Sequence, residues 1–79
     1  MARIDKSRFS KIEKYHNSVH QITDATYCVF SDGETDYFQI DTYGKDSRKA
    51  SGKVSQSLQI DRETGKLLID ILRQEFNIK

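Results

Sequence analysis

Polar and aromatic residues alternate with apolar ones over two short stretches of this sequence, and recognition chemistry would sit there. Across 36–43, Phe38, Ile40 and Thr42 point one way while Tyr37, Gln39, Asp41 and Tyr43 point the other, as side chains do on a strand. Across 53–60, Val54, Gln56, Leu58 and Ile60 share one face, and Lys53, Ser55, Ser57 and Gln59 share the opposite one. Paired, the two strands would present a face of tyrosine rings, amides and a cation. Rings stack on bases, amides offer a donor and an acceptor together, and cations meet phosphates; base–aromatic stacking contributes roughly 1–3 kcal/mol per base. The stretch 44–52 adds Lys45, Arg48 and Lys49 on a loop able to follow a phosphate backbone. The expected nucleic-acid-binding set is Tyr37, Gln39, Tyr43, Lys45, Arg48, Lys49, Lys53 and Gln59. Asp41 and the acidic turn before it weigh against that reading, since both would repel a strand laid across them. The plainer alternative is an ordinary solvated sheet face.

Other spacings carry less chemistry. His16, His20 and Asp24 fall at i, i+4 and i+8, which on a helix would align three competent zinc ligands. Asn17 follows His16, however, so the catalytic glutamate of the zincin pattern is missing, and Asp24 falls past the expected helix end. A polar helix flank is the simpler reading, and no metal is expected. Cys28 lies mid-strand, where a small buried hydrophobe is the ordinary role. There is no glycine-rich phosphate loop, and 79 residues leave little room for a preorganised concave pocket. Neither a catalytic residue nor a cofactor is expected.

The elements that would position the polar face follow from local signals. Residues 25–30 are rich in strand formers, and Asp32-Gly33 between them and the 36–43 run marks a hairpin. Residues 53–60 give a third strand. Asp61 is a good helix N-cap, Glu63 complements the helix dipole, and Leu67, Leu68, Ile71, Leu72 and Phe76 form a stripe wide enough to cover a sheet. Gly65 costs that helix about 1 kcal/mol relative to alanine. Nearer the start, Ser10 and Glu13 have capping-box spacing, and Ile12, Tyr15, Val19 and Ile22 recur every three or four residues. These predict a short helix over 11–22, with a strand near 9–12 as the competing reading. Residues 1–7 are expected to fray. Gln56, on the apolar side of its strand, would have to bond backbone or sit at a bulge or dimer seam.

Bulk properties bound the rest. A chain this short is one domain, 1–79, with a thin stability margin that dimerisation would supplement. Hydrophobic residues are only 35% of the total and charged ones 32%, yet the apolar residues cluster in periodic patterns, which argues against disorder. A single cysteine excludes an internal disulfide, no apolar run approaches a membrane span, and no signal peptide is visible, so a cytoplasmic location is expected. The net charge of +1 conceals segregation. Residues 1–14 are mainly basic, 24–41 hold Asp24, Asp32, Glu34, Asp36 and Asp41 with no lysine or arginine, and 45–53 turn basic again. Such asymmetry suits an oriented partner.

Two resemblances arise over 36–76. Tyr37-Phe38-Gln39-Ile40-Asp41-Thr42-Tyr43-Gly44, Arg48, Gly52-Lys53-Val54-Ser55-Gln56 and Leu58-Gln59-Ile60-Asp61 resemble a family of short bacterial proteins, some labelled methionyl-tRNA formyltransferase. That activity needs a much longer chain with a folate-binding domain, so the resemblance implies no activity here. In architecture, the strands, basic loop and final helix resemble the single-stranded-DNA-binding domain of the transcriptional positive cofactor four family. The matching residues are Arg48-Lys49, Gly52-Lys53, Leu58, Ile60, Asp61, Glu63 and Leu67-Leu68. This second resemblance implies a homodimer, built through the helices, that binds DNA by curved sheets and basic loops.

The sequence therefore predicts an α+β domain: a small antiparallel sheet of three strands, with a fourth left open, a C-terminal helix on one face and a short N-terminal helix. The expected function is non-catalytic binding of single-stranded DNA or RNA by a homodimer. The alternative is a protein-interaction or accessory module acting through its sheet edge or charged patches. No membrane association is expected.

Overall fold

A computed structural model describes residues 1–44 and 53–79. Four strands, β1 (Ala2–Ile4), β2 (Ala25–Ser31), β3 (Asp36–Thr42) and β4 (Gln56–Asp61), precede one helix, α1 (Arg62–Phe76). The strands form a single sheet in the order β1-β4-β3-β2. β2 and β3 pair antiparallel, as do β3 and β4, whereas β1 runs parallel to β4. The fold is thus α+β with a mixed four-stranded sheet.

Local chemistry explains the elements that sequence predicts well. In the β2–β3 hairpin, Asp32 Oδ1 accepts from the backbone N–H groups of Glu34 and Thr35, both at 2.9 Å, and Gly33 N–H donates to Ser31 Oγ. Gly33 takes φ +98°, a region that side chains with a Cβ rarely adopt, which is why glycine stands there. Asp61 ends β4 and also caps α1, its Oδ1 accepting from Thr64 N–H at 2.8 Å. Asn77 closes the helix in the left-handed conformation, donating its backbone N–H to the Arg73 carbonyl.

Four expectations are corrected. The predicted helix over 11–22 is absent: residues 9–24 carry no helix or strand, and the only helical turn nearby is a 3-10 turn at Lys6–Arg8 capped by Asp5. A helix of about twelve residues needs a surface to pack against before nucleation becomes favourable, and Val19 and Ile22 are fully exposed. Residues 2–4, expected to fray, are instead the fourth strand, with Ala2 opposite Leu58 and Ile4 opposite Ile60. The strand predicted over 53–60 begins at Gln56, so Lys53 and Ser55 precede it, although Ser55 N–H still donates to the Thr42 carbonyl at 2.7 Å. Gln56 is exposed rather than buried, because it opens the strand opposite Thr42, and the burial problem raised for its amide does not arise.

The register sorts the two faces. One carries Ile4–Ile60–Phe38–Val29 as one row and Ala2–Leu58–Ile40–Tyr27 as the next, with Tyr27 stacked on Phe38 at 5.3 Å between ring centroids. α1 leans over the first row, half-burying Leu67, Leu68 and Ile71, and a Cβ placed on Gly65 would lie 3.7 Å from Ile60 Cδ1. The second row is left largely open. Among the described residues only Tyr43 (8% exposed) and Thr64 (1%) are buried.

Candidate nucleic-acid interface

The opposite sheet face holds the candidate site, arranged as three cross-strand rows. Arg3, Gln59, Gln39 and Cys28 make the central row, one residue from each strand. Ser57, Asp41 and Thr26 lie to one side of it, and Asp61, Tyr37 and Phe30 to the other.

Hydrogen bonding fixes how the central groups are oriented. The Asp41 carboxylate can only accept, and it takes Ser57 Oγ at 2.7 Å and Gln39 Nε2 at 3.0 Å. With its amide nitrogen turned toward Asp41, Gln39 offers its carbonyl oxygen to Gln59 Nε2 at 2.7 Å. An Asp41–Gln39–Gln59 ladder results, which spreads the aspartate's charge over two donors. In the upper row Tyr37 stacks on Phe30, with centroids 5.5 Å apart and planes 29° apart. Arg3 crosses from β1 to donate from Nη1 to Tyr37 Oη at 3.1 Å, its guanidinium carbon 5.7 Å from the Tyr37 ring centre. Arg3, Ser57 and Gln59 also line a recess with Met1 and Ala2 at the β1 edge.

The expected site residues divide. Tyr37, Gln39 and Gln59 come together on this face as the alternation predicts. Tyr43 lies on the same side but does not offer its ring: it is buried, and its hydroxyl shares a 3.0 Å hydrogen bond with Thr26 Oγ1. A ring so covered has no open face on which a base could stack, contrary to its expected role. Lys53 is exposed and stands ahead of β4 rather than within it. Lys45, Arg48 and Lys49 lie outside the described residues. Arg3 and Phe30 were missed. Phe30 faces Tyr37 because the turn holds four residues, 32–35; counting outward from Asp32-Gly33 as a two-residue loop would set it opposite Thr35, and Arg3 gave no signal, because a three-residue parallel strand has no pattern of its own.

Two carboxylates near this face are held below their ordinary range by backbone donors. Asp32 is lowered first by the Glu34 and Thr35 N–H groups, and Asp61 first by the Thr64 N–H. Both remain charged and both are occupied with capping, so neither is poised for acid–base work. Cys28 is exposed in the central row rather than buried, contrary to its expected role as a core hydrophobe. His16, His20 and Asp24 sit on the irregular 9–24 segment, where helical spacing does not align them. Among the described residues no three His, Cys, Asp or Glu side chains are grouped to hold a metal ion, and no helix is long and apolar enough to cross a membrane.

No family model, curated protein or solved structure matches the chain.

Proposed function

We propose that the protein binds single-stranded DNA or RNA, without catalysis, across the sheet face that carries Arg3, Phe30, Tyr37, Gln39 and Gln59. The observation that carries this reading is the Phe30–Tyr37 stack with the Arg3 guanidinium over the Tyr37 ring: an aromatic platform with a cation held against it. A base stacks on such a platform whatever its identity, and its phosphate finds the guanidinium. The neighbouring glutamine ladder supplies amides for hydrogen bonding to base edges. Asp41, the main objection at the sequence level, is already engaged by Ser57 and Gln39, which lessens its repulsion of a polyanion. Lys45, Arg48 and Lys49, between β3 and β4 in the chain, complete the proposed set as phosphate contacts.

Fluorescence anisotropy of a labelled single-stranded oligonucleotide tests the reading. Affinity should fall steeply between about 50 and 200 mM salt as phosphate contacts release counterions. Absence of binding at the lower salt rejects it.

One observation favours a second reading, a protein-interaction module. β2 is an edge strand, and its seven residues, Ala-Thr-Tyr-Cys-Val-Phe-Ser, carry no charge or proline to discourage pairing. Such an edge accepts a strand from another chain. In that case a captured protein would survive nuclease treatment, and Arg48→Ala with Lys49→Ala would change capture little.

A further inference from the structure

The chain exposes far more surface than a lone domain of its size should. Its accessible area is 7300 Å², whereas surface–mass scaling gives about 4900 Å² for a folded monomer of this mass. Among the described residues, two exposed apolar surfaces contribute to this excess of roughly 2400 Å² per chain. The first is the open part of the helix-side face, where Tyr27 is 72% and Val29 66% exposed. Val29 and Phe38 form one wall of a groove whose other wall is Leu68, Ile69 and Leu72 of α1. The second is the 9–24 arm, whose Ile12, Tyr15, Val19 and Ile22 recur at helical spacing while standing in solvent.

We infer that these are two halves of one interface: in a homodimer, the 9–24 arm of each copy lies on the open apolar face of the other. Size supports a second copy as the occupant. Obligate homodimers bury about 2000–5000 Å² in total, the range that the excess from two chains would fill. The contact is also self-complementary, because each chain carries both the arm and the groove, so a two-fold axis uses the same pairing twice. The arm is tethered at both ends, by Lys11 Nζ to Glu75 Oε2 at 2.9 Å and by the Asp24 carbonyl to Tyr43 N–H at 3.1 Å. The twelve residues between these anchors, 12–23, can project as a loop and still return to β2. Docked in the groove, the arm acquires the apolar surface that its spacing needs to become helical. The polar face stays free on the outside of both copies, so this inference stands whether or not that face binds nucleic acid.

The test uses the full chain without nucleic acid. Sedimentation equilibrium at about 100 μM, where even a micromolar dimer is mostly assembled, should give twice the 9.2 kDa chain mass. In a dimer mixed from isotopically labelled and unlabelled chains, cross-copy nuclear Overhauser effects should join Val19 and Ile22 to Val29, Ile69 and Leu72. The pair Val19→Asp with Ile22→Asp should weaken dimerisation at least 100-fold. Both positions are fully exposed and outside every strand and helix, so circular dichroism should still report the sheet and α1 in that variant. A monomer at this concentration overturns the inference. So does a dimer whose cross-copy contacts fall on the β2 edge or the polar face, or an arm variant that dimerises like the parent.

Discussion

At the scale of single residues, the sheet separates side chains that build the face from side chains that offer it. Tyr43 belongs to the first kind. Tyr43→Phe removes its hydroxyl from Thr26 and should cost about 0.5–1.5 kcal/mol of stability, the usual net value of one hydrogen bond, while leaving oligonucleotide affinity unchanged. Tyr37 belongs to the second. Tyr37→Ala should weaken oligonucleotide binding by roughly 1–3 kcal/mol, whereas Tyr37→Phe keeps the ring and should lose less; parallel denaturation and binding titrations separate the two effects. Alternation along 36–43 was enough to assign the side of the sheet for Tyr37, Gln39 and Tyr43, because a period of two depends on nothing beyond the strand. Burial was not legible: it depends on Thr26, seventeen residues away, presenting a hydroxyl to Tyr43.

At the scale of elements, the caps and turns make the sharpest claims. Asp32 and Asp61 have folded-state pKa values below the ordinary carboxylate value of 3.8 because backbone N–H groups hold their charged forms. The sign follows from linkage: the unfolded chain takes up protons first, so this stabilisation is complete above the ordinary value and is lost as pH falls below it. Acid titration followed by circular dichroism should show helix loss setting in below about pH 4. Asp61→Asn keeps an acceptor for Thr64 N–H without the charge and should flatten Asp61's share of that dependence. The two glycines should respond oppositely. Gly65→Ala, with its new Cβ in ordinary contact with Ile60, should stabilise α1 by about 0.5–1 kcal/mol. Gly33→Ala, forced to φ +98°, should destabilise the hairpin by about 1 kcal/mol or more; thermal melts of both variants decide the signs. The hairpin and α1 were readable from sequence because Asp32-Gly33 and Asp61 act on neighbours two to three residues away. β1 was not, because Ala-Arg-Ile becomes a strand only where Leu58 and Ile60, more than fifty residues on, provide the pairing.

At the scale of the whole molecule, the missing 11–22 helix and the open apolar face belong together. The spacing of Ile12, Tyr15, Val19 and Ile22 is that of an amphipathic helix, yet no helix forms over those residues. What a sequence does not display is whether the surface such a helix needs lies within its own chain. Here α1 occupies one row of the apolar face and leaves the row of Leu58, Ile40 and Tyr27 exposed, while Tyr15, Val19 and Ile22 of the arm stand in solvent. A two-faced molecule follows, with an open apolar side, on which the proposed second copy would dock, and a polar side displaying Arg3, Tyr37 and the glutamine ladder. Its folding should accordingly depend on concentration, since monomer and dimer bury different areas: the melting temperature should rise with protein concentration over the micromolar range, and a constant value would argue for a self-sufficient monomer.

Amide chemical-shift mapping of the labelled protein during titration with a single-stranded oligonucleotide tests the proposed binding face most directly. Shifts concentrated on Arg3, Cys28, Phe30, Tyr37, Gln39 and Gln59, and reversed by added salt, are the predicted result. Shifts confined to the helix side, or none at an oligonucleotide excess in low salt, would contradict it.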